Sequence, residues 1–490
     1  MRHQKQQVLI TGASGSMGFE TFKLLWERRD RYDIKLLLRP SVMNKKKFRS
    51  YEKEASATGG LKLVWGDALN RENVMEACRG IDWCLHHMAL ISPAADRDPE
   101  MAALVNARGT RYLVEAIETL DPERIRLVHV ATVALYGDRL PPVHVCRTGD
   151  PVIPSVFDHY ALSKIDGELA VMQSKIKHRV SLRQTFIMIP GIFGLMDPIL
   201  YHQPINSFME NITALDSGRL MVSCLEIPDD SDFWGEYYNI SGGPVCRTTF
   251  LEFLRRIYSL LGIRLEKVME RKWFALKNFH MVFYEDAARL NNYLKHWEGG
   301  QGMEEYVREV WRKFPWYLKT TAWFANSFSP FRTLTEAITR AQLKKLAHQK
   351  HGTMHWIRSG DVGRISAFYG SEEAYGRIPG WDADLPSLDH GQPYRRLKHG
   401  YDEEKTGWEI RDLQQAAGFR GGRLLTENWE GDPHDRLSWE CCRGHTFQMT
   451  SHAVLKGGHW CTECISPPWN YEALAKKNPF AAQVLKREPA

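Results

Sequence analysis

The 490-residue chain has no apolar run approaching the ~20 residues that cross a bilayer. Its first seven residues, Met1 to Gln7, lack the apolar centre of a secretory signal. A bilayer span is therefore excluded as the organising element, and a cytoplasmic location is the expectation. Excess charge is scarce: 65 Lys and Arg stand against 59 Asp and Glu, a net +6 that does not by itself call for nucleic acid or membrane. Cysteine is also scarce, at nine residues. Cys78, Cys84, Cys146, Cys224 and Cys246 are scattered and read as reduced core fillers, not as a disulfide framework. Cys441, Cys442, Cys461 and Cys464 cluster instead. Apolar and charged contents of 43% and 25% are ordinary for a globular protein, and the length calls for about two to four domains.

What is present in the first 190 residues is an alternation of short apolar runs with amphipathic stretches. Gln7–Ile10, Ile34–Leu38, Leu61–Trp65, Asp82–Leu90, Arg126–Ala131 and Val180–Ile189 read as strands. Phe19–Arg29, Ala102–Leu120 and Tyr160–Ile176 read as helices between them. This order predicts an α/β fold with a doubly wound parallel sheet, whose ligand site lies beyond the carboxyl ends of the strands. Between the first strand and first helix stands Thr11-Gly12-Ala13-Ser14-Gly15-Ser16-Met17-Gly18. Gly12 permits a tight turn, Gly15 a close approach to pyrophosphate and Gly18 close helix packing, with Ser16 and Met17 at the helix start offering free N–H groups. At the end of the second strand Arg39 stands where an NAD site usually has a carboxylate, and Lys45, Lys46 and Lys47 follow. An arginine there accommodates a 2′-phosphate, so NADP(H) is favoured over NAD(H).

Tyr160 and Lys164 are four residues apart, neighbours on one helix face. A nearby ammonium is expected to lower the phenol below its usual ~10 and make Tyr160 an acid/base, with Lys164 also reaching a nicotinamide ribose. Thr132, at a strand end, offers a hydroxyl to orient the reacting oxygen.

These pieces resemble the extended short-chain dehydrogenases/reductases, the NAD-dependent epimerase/dehydratase family, over roughly residues 7–300. The resemblance rests on the glycine turn, Gly66-Asp67, His87-Met88-Ala89, Asn106-x-x-Gly109-Thr110, Thr132-x-x-x-Tyr136-Gly137 and Tyr160-x-x-x-Lys164. It implies a Rossmann domain over 1–190 and a substrate region over 191–332. It also implies Asp67 and Ala68 beside the adenine, Met88 and Ala89 along the cofactor, and Asn106 supporting the active-site geometry. The 4,6-dehydratases of the family carry an acidic pair after the threonine, where this chain has Val133 and Ala134, so elimination loses rank. The sugar-nucleotide enzymes usually carry an asparagine that Arg183–Met188 lacks, which weakens such a substrate. An oxidoreductase acting on a carbonyl or hydroxyl carbon is the first expectation. An epimerase retaining its cofactor and a dinucleotide-sensing protein are the alternatives. The family's four-helix face admits a homodimer.

Farther along, Tyr237–Gly243 reads as a strand and glycine turn, and Thr249-x-x-Glu252 as a capping box opening a helix. The aromatic-rich stretch 311–331 is expected to pack at a domain interface. Thr335–Lys350 reads as a basic amphipathic helix, and 333–415 as a helical or irregular connector without clear period beyond 350. Then Cys441, His445, Cys461 and Cys464 offer three thiolates and an imidazole, the ligand set of a closed structural Zn²⁺ site. Cys442, His452 and His459 remain competitors. Residues 416–470 resemble a treble-clef-like zinc-ribbon module, followed by a tail over 471–490. Such modules accompany catalytic domains, some of them nucleases, but the carboxylates here leave no one-sided basic patch for nucleic acid.

Overall fold

In the computed structural model, residues 5–192, 196–385, 389–405 and 407–486 are described; the last four residues of the expected tail lie outside them. The apolar runs form seven strands: β1 (Gln6–Thr11), β2 (Tyr32–Leu38), β3 (Leu61–Trp65), β4 (Trp83–His86), β5 (Arg126–Thr132), β6 (Arg179–Gln184) and β7 (Tyr237–Ile240). Their order is β7-β6-β5-β4-β1-β2-β3, with every pair parallel. A parallel sheet is covered on both faces, which is why its strands are nearly all apolar. Val8 and Ile10 pack in one core with Phe22, Leu25 and Leu220. These last three belong to α1 (Ser16–Trp26) and to the helix Ala214–Ser223. Leu9, between them, points into the other core with Val74, Leu113 and Val171. The helices α2 (Val42–Thr58), α3 (Arg71–Cys78), α4 (Gly109–Leu120) and α5 (His159–Met172) complete the wound layers. The strand order reverses between β1 and β4, which opens the crevice where such a sheet binds its ligand.

Several elements differ from the sequence reading: α2 and α3 had no counterpart in it, and the fourth strand, read to Leu90, ends at His86. The sixth strand stops at Gln184; Ile187 and Met188 leave the sheet and pair with Ile212 and Thr213. Phe186 turns away to meet Phe253 at 5.9 Å between ring centres. The stretch expected as one helix from Ala102 begins with a π-helical turn, Ala103–Arg108, before α4. The extra residue in that turn carries the Asn106 amide to Leu90, whose N–H donates to it at 2.7 Å and whose carbonyl accepts from it at 2.8 Å.

Beyond β7 the capping box forms as read: the Thr249 hydroxyl accepts from Glu252 N–H, and the Glu252 carboxylate accepts from Thr249 N–H. The segment after 350 is more ordered than its weak periodicity suggested, with helices over Thr353–Ser359, Val362–Tyr369 and Glu372–Gly376. Trp356 and Phe368 anchor it against His202. The aromatic stretch does not fill an interface. The helix Trp316–Ser327 turns Ala322 and Ala325 inward and leaves its large rings outside.

The C-terminal segment builds an antiparallel sheet from β8 (Arg423–Leu424), β9 (Arg436–Glu440) and β10 (Thr446–Thr450). Its Leu437, Trp439, Ala453 and Val454 share one core with Ala131 of β5 and with Ile165 and Leu169 of α5. Behind that core is a buried charge network. Arg183 of β6 donates to both oxygens of Glu168 on α5, at 3.1 and 2.9 Å, and to the Gly457 carbonyl at 2.6 Å. His459 meets Glu168 at 2.7 Å.

Candidate active site

The strand-end residues expected to face a dinucleotide lie at the carboxyl ends of the parallel strands. Gly12, Gly15, Ser16, Met17 and Gly18 form the turn from β1 into α1; Asp67 and Ala68 follow β3, Met88 and Ala89 follow β4, and Thr132 ends β5. Gly12 sits at φ +72°, and a Cβ there would lie 2.7 Å from the Met88 nitrogen. A Cβ on Gly18 would lie 2.4 Å from the Gly12 carbonyl. These two glycines are required by the protein's own backbone. Gly15 is different: the nearest atom to a Cβ there is the Gly12 carbonyl, at 3.4 Å. Gly15 is also the N-cap of α1, and no side chain caps that end. The open cradle and the free first-turn N–H groups fit a pyrophosphate. Arg39 is exposed at the end of β2. Lys47, on α2, lays its ammonium on the turn itself, donating to the Ser14 carbonyl at 2.9 Å. Asp67 takes the N–H of Leu69 on its carboxylate at 2.9 Å and so shapes the loop after β3.

Thr132, at the end of β5, accepts the Ala134 N–H on its hydroxyl at 3.2 Å and stands near enough to Tyr160 to act on its phenol. Asn106 ties the start of α4 to α5 through the Ser163 hydroxyl, at 2.8 Å. Lys164 is buried and donates to the Val130 carbonyl at 2.6 Å. The expected lowering of the phenol by Lys164 does not appear. Burial pushes Tyr160 up to about 12, Thr132 partly offsets this, and the carboxylates of Asp158 and Asp96 add to it. Burial brings Lys164 down to about 8, with Glu168 opposing. The phenol therefore stands protonated at neutral pH, as a proton donor.

Two carboxylates that the sequence did not single out grip the first turn of α5. Asp158 is its N-cap and accepts from Ala161 N–H at 2.8 Å. Asp96, from the short helix Ala94–Arg97 after β4, accepts from Tyr160 N–H at 3.2 Å. His280 lies 2.8 Å from the other Asp158 oxygen. Burial, and then Asp158, push Asp96 up to about 6. Asp96, Asp158 and His280 line a cleft with His202, His351 and Arg364 whose open space, mouth included, is ≈ 590 Å³. Asp158 had a legible signal, a capping aspartate two residues before Tyr160. Asp96 and His280 had none, because only the fold brings them there.

The second site is well formed. Cys441, His445, Cys461 and Cys464 place one ligand atom each within 4.8 Å of one another. The Cys441 and Cys464 sulfurs are 3.5 Å apart, and His445 Nδ1 lies 3.4 Å from the Cys461 sulfur and 3.6 Å from the Cys464 sulfur. Tetrahedral zinc with bonds of ~2.3 Å to sulfur and ~2.1 Å to nitrogen spaces its ligands by about 3.5–3.8 Å. A disulfide would need ~2.05 Å. Hydrogen bonding from Cys464 pulls the Cys461 thiol down to about 5. Glu463 stands 3.7 Å from His445 Nε2, where it can orient the ring. The competing histidines are engaged elsewhere, His459 on Glu168 and His452 on Glu236.

Residues 8–211 match the family model of the NAD dependent epimerase/dehydratase family. An uncharacterized epimerase/dehydratase of Staphylococcus haemolyticus is 26% identical over 191 residues, 39% of this chain and 54% of that protein. One of Staphylococcus aureus is 24% identical with the same shares. The chain thus spans about half the length of the curated relatives it matches. The crystal structure of a dTDP-glucose 4,6-dehydratase from Bacillus anthracis in complex with NAD aligns at TM-score 0.50 and 19% identity, covering 66% of this chain and 99% of that one. At that identity the likeness is one of fold.

Proposed function

We propose that this chain, whose residues 8–211 are of the NAD dependent epimerase/dehydratase family, is an NADP(H)-dependent oxidoreductase acting on a carbonyl or hydroxyl carbon of a small molecule. The observation that carries the reading is the placement of the uncapped glycine turn and of Thr132 at the carboxyl ends of parallel strands, with Tyr160 near Thr132 and with Asp96 and Asp158, which bind the first turn of its helix, lining a cleft. The glycine turn and α1 hold the pyrophosphate. Arg39 and Lys47 supply positive charge for a 2′-phosphate. When bound, the nicotinamide supplies or accepts the hydride. Thr132 orients the substrate oxygen, and Tyr160 gives it the proton that completes an alcohol, or takes that proton in the reverse direction. Lys164 holds the ribose side of the site. Asp96 and Asp158 fix the helix turn that presents the phenol.

The zinc set has no open coordination position once its three sulfurs and one nitrogen are engaged, so the metal is structural. Val133 and Ala134 are buried and bring no carboxylate to the threonine, which leaves elimination without its usual acid at that place.

The test is a substrate screen followed at the nicotinamide absorbance, with Tyr160→Phe as the control. Removing the phenolic proton should cut kcat by about 10²–10⁴ while dinucleotide binding, read by fluorescence, is unchanged. Full turnover in that variant would refute the acid/base role. Arg39→Ala should raise KM for NADP(H) about tenfold and leave NAD(H) unaffected. A dinucleotide that co-purifies and never exchanges would point to the epimerase or sensor readings instead.

A further inference from the structure

The helix Trp316–Ser327 is inside out for a surface helix of a soluble protein. Its two fully buried residues are alanines, Ala322 and Ala325, while Trp316 is 77% exposed and Trp323 59%. Trp316 and Trp323, and Tyr317 and Phe324, are seven residues apart, so the four rings share one outer face. The face continues onto the next helix, Ser329–His348. Phe324 meets Phe328 and Phe331 at 5.9 and 5.5 Å, and Trp323 meets Phe328 at 6.1 Å. One turn on, Leu334 and Ile338 are exposed, and Lys345 falls on the same face by helical spacing. The result is a continuous aromatic and aliphatic patch on two helices.

Charge identifies what covers it. Residues 311–350 hold eight Lys and Arg against a single carboxylate, Glu336. That +7 exceeds the +6 of the entire chain, so the remaining residues are close to neutral. Glu336 is buried on Arg264 at 2.8 Å and does not offset the surface charge. Among the described residues, Arg312, Lys319, Arg332, Lys344 and Lys345 face no carboxylate within salt-bridge distance. A second copy docking by the same face would set like charges against one another. Tryptophan and tyrosine flanked by lysine and arginine are the composition that settles at a lipid–water interface. No helix among the described residues is long and apolar enough to cross a membrane, so the contact is one of lying on the surface.

We propose that the two helices spanning 316–348 dock the protein on an anionic lipid surface, the rings entering the headgroup region and the basic residues facing acidic headgroups.

The test is flotation of the full chain with vesicles of phosphatidylcholine, alone and with about one quarter phosphatidylserine. The expected result is partition into the anionic vesicles only, with a blue-shifted tryptophan emission and loss as salt is raised. Trp316→Ala with Trp323→Ala and Phe328→Ala should weaken partition about tenfold or more, as should Lys344→Glu with Lys345→Glu. All five side chains lie outside the core, and unchanged melting curves would show that the variants fold. Absence of wild-type partition at low salt overturns the proposal, as does equal partition into neutral vesicles. Concentration-dependent dimerisation that the aromatic variant abolishes, without vesicle binding, would give the face to a second copy and overturn it too.

Discussion

Arg183→Met tests whether the C-terminal segment is electrostatically part of the sheet. The wild-type guanidinium is fully buried and makes four hydrogen bonds: two to Glu168, one to the Tyr136 hydroxyl at 3.0 Å and one to the Gly457 carbonyl. Methionine fills a similar volume without donors, so the loss is chiefly electrostatic. Removing one partner of a buried pair costs about 3–5 kcal/mol. Ser181 still donates to Glu168 at 2.7 Å and His459 stays hydrogen-bonded to it at 2.7 Å, which places the expectation at the lower end, about 3 kcal/mol. The pH dependence gives a second check. In the wild type, burial raises the Glu168 carboxyl, but Arg183 and His459 outweigh it and hold it well below the usual carboxylate range. Its contribution is therefore complete above the unfolded value of ~4.3 and is lost as pH falls below it. In the variant burial dominates, the folded pKa lies above ~4.3, and ionised Glu168 becomes a penalty that grows as pH rises. Urea denaturation should show a gap between the two proteins that is widest at neutral pH and narrows on acidification. A loss below about 1 kcal/mol at neutral pH, or a gap that does not narrow, would refute the reasoning.

Two further perturbations address the other sites. Cys461→Ser should abolish stoichiometric zinc in metal analysis of the purified protein. Because the C-terminal segment shares its core with β5 and α5, it should also lower the melting midpoint of the whole chain by about 5 °C or more. A wild-type chain with only a trace of zinc and four reducible thiols would remove the metal from the account. Asp96→Asn removes a carboxyl pushed up to about 6, above its unfolded ~3.9. Ionising it costs folded stability as pH rises through that window, so the variant should gain about 3 kcal/mol at pH above ~7 and little near ~4. Melting midpoints across pH read this directly, and a constant difference would show that Asp96 does not titrate in the fold as described.

The sheet was legible because parallel strands buried on both faces leave unbroken apolar runs, and Leu36, Leu37 and Leu38 are such a run. The places of the glycine turn, Thr132, Asn106, Tyr160 and Lys164 in the fold were legible for a related reason. Each has a chemistry that few other residues can replace, at a fixed place relative to a strand or helix end. Cys441, His445, Cys461 and Cys464 were readable from spacing as one candidate metal cluster, with a tight turn at Gly444 between Cys441 and His445; that Cys441 and not Cys442 joins the other three is decided by the fold. The capping box at Thr249 and Glu252 is likewise local, with both hydrogen bonds closing within four residues.

Other features are long-range and leave no local trace. Asp96 reaches Tyr160 across 64 residues, and His459 reaches Glu168 across 291. Whether Lys164 lowers the phenol was not readable from an i, i+4 spacing, since its ammonium is held by Val130 on a neighbouring strand. The aromatic stretch shows the same limit in reverse: the rings are plain in the sequence, but which side of the helix is buried is set by what packs beneath Ala322 and Ala325. The sequence alone thus marked which residues are candidates for proton, phosphate and metal chemistry, because those demand particular atoms at short spacing. The tertiary structure decided which of them are desolvated, what charges face them and which surfaces remain open, because burial and electrostatics depend on neighbours that the chain supplies from far away.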